Sequence, residues 1–121
     1  GRWVVATTTQ ANPNKFIFAC NNYNNSGDTL VSSVAANDSA WHHYAVTRSG
    51  NTWRLFIDGV LQQTITSSVS LDNGSPSRIF VGAESPTNGA WAGYIDDFRI
   101  TKGVARYTAN FTPPATTFLA Q

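Results

Sequence analysis

Trp41-His42-His43-Tyr44-Ala45-Val46-Thr47-Arg48-Ser49-Gly50-Asn51-Thr52-Trp53-Arg54-Leu55-Phe56-Ile57-Asp58-Gly59-Val60 is the stretch that decides the fold class. In an extended chain successive side chains point to opposite faces. Trp41, His43, Ala45 and Thr47 therefore share one face, and His42, Tyr44, Val46 and Arg48 the other. Ser49-Gly50-Asn51 interrupts the pattern with turn residues, after which Trp53, Leu55 and Ile57 alternate with Arg54, Phe56 and Asp58. Asp58-Gly59 between alternating apolar residues is a strong hairpin signal. The stretch reads as an antiparallel meander with both faces largely covered, and Trp41 and Trp53 as core residues.

The same period continues on either side. Arg2–Thr9 is rich in β-branched residues, Lys15–Cys20 sets Phe16 and Phe18 against Ile17, and Thr29–Ala35 and Val60–Thr66 alternate in the same way. Asn12-Pro13-Asn14 and Asn37-Asp38-Ser39 are turns; Asn21–Asp28 and Ser67–Ser77 are polar loops, the second with Leu71 as an inward anchor. Arg78–Gly82 is a short apolar strand, Glu84–Ala92 a loop, and Gly93–Thr101 a strand placing Tyr94, Asp96, Phe98 and Ile100 opposite Ile95, Asp97 and Arg99. Lys102–Tyr107 reads as one helical turn, and Pro113-Pro114 keeps the end extended. No internal repeat or second domain is visible, and strands at this spacing make a sandwich over residues 1–121.

The chain has 121 residues, enough for one hydrophobic core. Apolar residues make up 41% and charged residues 12%, too apolar for disorder and typical of a β-rich extracellular protein. A net charge of +1 leaves no electrostatic footprint for nucleic acid or an anionic membrane surface. No apolar run approaches the roughly 20 residues of a spanning helix. Cys20 is the single cysteine, so no internal disulfide forms; inside "KFIFAC" it reads as a small buried hydrophobe. With no Met and Gly1 first, the chain reads as part of a longer one.

"WHHYAVTRSGNTWRLFIDGV" resembles the core hairpin of laminin-G-like, concanavalin A-like jelly-roll domains. "GYIDDFRITKGVARYTANFTPP", Gly93 to Pro114, resembles the closing segment of that family, in wording similar to versions from phage tail and virion proteins. The likeness covers Trp41 to Phe118; Gly1 to Ala40 agrees only in strand pattern. It implies an all-β antiparallel jelly-roll β-sandwich lacking its first strands, with an open sheet edge or a partner filling it, and hence an oligomer. It also implies a structural clasp in which Val104, Tyr107 and Phe111 pack on the sheet while Lys102 and Arg106 stay solvated.

Function is less constrained, because one fold hosts many. Glycoside hydrolysis normally needs two carboxylates roughly 5 to 10 Å apart. The related glucanases carry Glu-x-Asp-x-x-Glu on one strand, whereas the single glutamate here, Glu84, lies in a loop, and adjacent Asp96 and Asp97 diverge on a strand. The expectation is therefore no enzyme. His42 and His43 diverge in the same way and have no third ligand at a metal spacing, so they read as structural. Some relatives of the resembled fold bind Ca²⁺ at the sandwich rim. Asp28, Asp72 and Asn73 lie in loops with suitable oxygens, which leaves Ca²⁺ open as the one cofactor. Asp58 and Asp96 match family positions; their plain roles are a turn and a hydrogen bond or ion pair.

Sugar binding uses exposed aromatic faces with amides beside them. Trp91, with Asn88 and Gly89, sits in a loop of small and polar residues; it reads either as a binding aromatic or as a plug at one end of the sandwich. Tyr23 with Asn24, in the Asn-rich loop, is the second candidate. Asn24, Asn37, Asn73 and Asn110 also begin N-x-[ST] sequons, which matter only in a secreted eukaryotic protein. The reading that results is a non-catalytic virion-surface or tail-fibre module, extracellular, for adhesion to cell-surface glycans or for decoration. The competing reading is a purely structural assembly module that binds other virion proteins and no sugar; a glycosidase remnant comes third.

Overall fold

The computed structural model describes residues 3–6, 14–20, 28–70, 81–82 and 91–115, with the backbone only of Trp3, Val4, Ala6 and Cys20. Six strands are present among them: β1 (Trp3–Ala6), β2 (Lys15–Cys20), β3 (Thr29–Ala35), β4 (Tyr44–Ser49), β5 (Thr52–Ile57) and β6 (Val60–Thr66). They form two antiparallel sheets, β1-β2-β3 and β4-β5-β6, each a meander in chain order. The fold is thus all-β and antiparallel, as the alternation predicts, and β2, β3 and β6 have the expected bounds.

The hairpin turns follow from their residues. Ser49 pairs with Thr52, leaving a two-residue loop whose first member, Gly50, takes φ 59°. Ile57 pairs with Val60, and the loop residues Asp58 and Gly59 both take positive φ, 50° and 77°, as a type I′ turn requires. Gly59 is buried, and a Cβ on it would lie 1.8 Å from the Phe111 carbonyl oxygen, so this position admits only glycine.

The sheets share an aromatic core. Phe16, Phe18 and Leu30 from the first sheet meet Trp53, Leu55 and Ile57 from β5, with Ala36 buried among them and Tyr44, Val46, Ile65, Val69 and Trp91 packed around. Phe16 stacks on Tyr44 at 4.2 Å, and Phe18 lies 5.7 Å from Trp53. Trp53 Nε1 donates to the Ser67 carbonyl at 3.1 Å, which satisfies its one polar atom.

The sheets also meet edge to edge along β3 and β6. The ladder of β6 with β5 carries a bulge at Gln62, between the pairs Leu55–Gln63 and Phe56–Leu61. The β2–β3 ladder is irregular between Lys15–Ala35 and Ile17–Val31. The two irregularities are joined by side chains. Val31 N donates to Gln63 Oε1 at 2.6 Å and Ser33 Oγ to Gln62 Oε1 at 2.7 Å, while within the β2–β3 irregularity Phe16 N donates to Ser32 Oγ at 3.0 Å. Glutamine amides thus cover edge backbone groups that would otherwise need another strand.

The closing segment covers the outer face of the second sheet. Tyr107 and Phe111 stack on each other at 3.5 Å and set their rings edge-on to Phe56 and His43. Thr47 Oγ1 donates to the Tyr107 carbonyl at 2.7 Å, Phe111 N to the Gly59 carbonyl at 3.0 Å, and Leu61 N to Asn110 Oδ1 at 2.9 Å. Both faces of the second sheet are covered, as its patterning implies.

Four expectations need correction. Trp41, expected in the core, is 69% exposed, because the strand starts only at Tyr44 and Trp41 precedes the ladder. Gly93–Thr101 is not a strand: Asp97 takes φ 49°, the Asp97 N–H bonds the Asp96 carboxylate at 2.8 Å, and no ladder pairs the segment among the described residues. Lys102–Tyr107 is not a helical turn, since Gly103 sits at φ 89°. Val104 is exposed rather than packed. The expected strand Arg78–Gly82 and the Leu71 anchor fall wholly or mostly outside the described residues, as does the side chain of Cys20.

Candidate functional site

One end of the sandwich gathers chemistry that the strands alone do not explain. It is built from the turn after β3, the approach to β4 and the β5–β6 turn. Asp58, fixed by its type I′ turn, accepts from His43 N through Oδ1 at 2.8 Å, while its own N–H donates to the His43 carbonyl at 2.8 Å. Its other oxygen, Oδ2, lies 2.7 Å from His42 Nδ1. His42 Nε2 lies 2.8 Å from Asp38 Oδ1, which also accepts from Ala40 N at 2.9 Å. His42 thus bridges two carboxylates, one on each turn.

The electrostatics follow. The Asp58 and Asp38 carboxylates, bonded to its two ring nitrogens, raise His42 above its ordinary 6.5 against a small desolvation penalty. Asp38 is held below 3.8, chiefly by its bond from His42. Burial works against the charge of Asp58, but the bonds from His42 and His43 N outweigh it and keep this carboxyl low as well. His43 points to the other face, against Tyr107 and Phe111, and burial lowers its pKa. The two histidines diverge, as their adjacency in an extended chain requires.

An aromatic ring, Tyr44, adjoins this bridge. Tyr44 lies 6.0 Å from His42 and 6.5 Å from Trp91, whose ring meets it edge-on. The hydroxyl of Tyr44 donates to the Ala36 carbonyl at 3.3 Å. Farther out, Trp41 and Tyr94 have ring centres 6.5 Å apart at a tilt of 33°. Tyr94 is 87% exposed, more than Trp41, so the pair presents aromatic surface to solvent. Asn37 Nδ2 donates to Asn14 Oδ1 at 2.8 Å in the neighbouring turn, where both side chains are exposed.

Of the residues singled out from sequence, Trp91 is half-buried against the core, with its backbone N–H donating to the Gly82 carbonyl at 2.8 Å. Asn88, Tyr23 and Asn24 lie outside the described residues. For calcium, Asp28 Oδ1 is taken by the Ser67 hydroxyl, and Asp72 and Asn73 lie outside the described residues. No group of three or more metal-ligating side chains converges among the described residues. Sequence reasoning missed the Trp41–Tyr94 pair and the His42 bridge. Strand alternation assigned Trp41 to the interior. The signal available for the bridge was an Asp-Gly turn in the same motif as a histidine pair.

Two antiparallel sheets over a shared aromatic core, closed on the outside by a tail segment, make this a β-sandwich of the concanavalin A-like kind. The family model Laminin_G_3, described as the concanavalin A-like lectin/glucanases superfamily, matches residues 2–106, and the chain belongs to that family. Among solved structures, an S-layer domain-containing protein from Clostridium thermocellum is similar at 28% identity with a TM-score of 0.47. The likeness covers 83% of this chain and 48% of that one, so the chain spans about half of the solved relative. Comparison with curated proteins gives no match.

Proposed function

We propose that the domain is a non-catalytic adhesion module that binds glycan on the exposed Trp41–Tyr94 pair, carried on the outside of a virion, as a tail-fibre or surface module, or of a cell. The observation that carries this reading is the pair itself: two large rings, 6.5 Å apart and open to solvent, on a member of a lectin-containing superfamily. Exposed aromatics of this size are otherwise costly to leave in water, and their faces suit the C–H faces of a sugar ring. Asp38, an exposed carboxylate three residues before Trp41 in the chain, and the exposed Asn14–Asn37 pair would offer partners to sugar hydroxyls. Single sites of this kind are weak, and several copies in one particle multiply them.

The test is a glycan array probed with the parent chain, Trp41→Ala and Tyr94→Ala. Both variants are expected to fold normally and to lose signal on the glycans the parent binds. Signal unchanged in both variants would remove the pair as the site.

A second reading, structural assembly with other virion or surface proteins, is favoured by a different observation. Ile95, Phe98, Ile100 and Val104 are all exposed along a segment that no strand pairs among the described residues. Retained assembly in a double Trp41→Ala, Tyr94→Ala variant, with no glycan bound by the parent, would favour it.

A further inference from the structure

A neutral imidazole has one N–H and one lone pair, whereas an ionised carboxylate only accepts. His42 places both ring nitrogens on carboxylate oxygens, at 2.7 Å from Asp58 and 2.8 Å from Asp38. Both bonds are satisfied together only by the doubly protonated ring. On losing a proton, one nitrogen turns a lone pair toward a carboxylate, and that contact must open.

The geometry also says which contact opens. Asp58 is locked in the type I′ turn by two further bonds to the His43 backbone, at 2.8 Å each, and its glycine neighbour lies under Phe111. Asp38 stands on an exposed turn whose next residue, Ser39, holds φ 66°, and its remaining bonds are local, from Ala40 N and its own backbone N–H. Asp38 is the partner with less to hold it.

We propose that Asp38–His42–Asp58 is a pH-operated latch. With His42 charged, it ties the turn after β3 to the β5–β6 turn; with His42 neutral, the Asp38 arm is released and the approach to β4, including Trp41, is loosened. The titratable groups facing His42 among the described residues are Asp38 from the first turn, Asp58 from the second, and Tyr44 with neighbouring His43 from its own element.

The sign follows from the raised His42 pKa. A group whose folded pKa is raised contributes stability that is complete below its unfolded value and is lost as pH rises through the folded value. The latch is closed below about 6.5 and opens above the folded His42 pKa.

Imidazole resonances of the full chain, followed by NMR across pH, test this directly. His42 is expected to titrate above 6.5 and to keep its Nδ1–H, the proton on Asp58, when neutral. Across the same range the Ala40 amide is expected to lose exchange protection relative to its intrinsic rate. Asp38→Asn and Asp58→Asn are each expected to move the His42 titration downward. The second keeps the turn, because Asn-Gly also suits type I′. His42→Gln is expected to flatten the change in melting temperature above pH 6.5. Titration at or below 6.5, a neutral ring protonated at Nε2, or the same titration in both asparagine variants as in the parent would overturn the latch. None of these readouts uses a ligand, so they stand whether or not Trp41 binds sugar.

Discussion

Two tryptophans of the same hairpin region show how position sets the cost of losing a side chain. Trp53 is 2% exposed, lies against Phe18, takes the Arg48 guanidinium over its ring at 4.6 Å and bonds the Ser67 carbonyl. Trp53→Ala removes all of this and is expected to cost about 3–5 kcal/mol, as core aromatic truncations do. Trp41, outside the ladder and open to water, is expected to change stability by about 0.5 kcal/mol or less on truncation. Parallel denaturant curves decide it: equal losses for the two variants would contradict the burial described above.

The decisive element is the β5–β6 hairpin with the closing segment laid over its turn. Gly59 serves three ends there. It takes positive φ for the type I′ turn, its carbonyl accepts from Phe111 N, and its bare Cα lets the Phe111 backbone approach. Gly59→Ala therefore combines left-handed strain with a backbone clash that no rotamer change relieves. The expected outcome is detachment of the closing segment. Amide protection should be lost at Phe111, and melting should come well below that of Gly50→Ala, where an added Cβ meets open space and only the left-handed φ is strained. Equal melting temperatures for the two variants would refute the clasp.

For the whole molecule, the exposed apolar run is a prominent surface feature among the described residues. Ile95, Phe98, Ile100 and Val104 stand in solvent, on a segment whose backbone no ladder pairs among the described residues. A surface of that kind favours association. Light scattering over a concentration series is expected to show self-association, weakened by Phe98→Asp. A monodisperse monomer at every concentration would show that the run needs no cover. Salt is expected to have little effect on the association, because the contact is apolar and the net charge is +1.

The existence of β1 to β6, the strand bounds of β2, β3 and β6, and the Asp58-Gly59 turn were legible in the sequence alone, because they rest on local rules: a period of two and the φ a glycine permits. Family membership was legible for the same reason, since the hairpin and clasp motifs are continuous in the chain. The Tyr107 and Phe111 contacts with the outer face also followed from those motifs. Local alternation erred at Trp41 and Gly93–Thr101, where it says which side chains would share a face but not whether a neighbouring strand exists to pair them. Only the tertiary structure decided that Trp41 faces water beside Tyr94, and that His42 stands between Asp38 and Asp58. The first depends on a distant, unpaired segment reaching the approach to β4, the second on two turns from different sheets meeting at one end of the sandwich; spacing along the chain encodes neither distance.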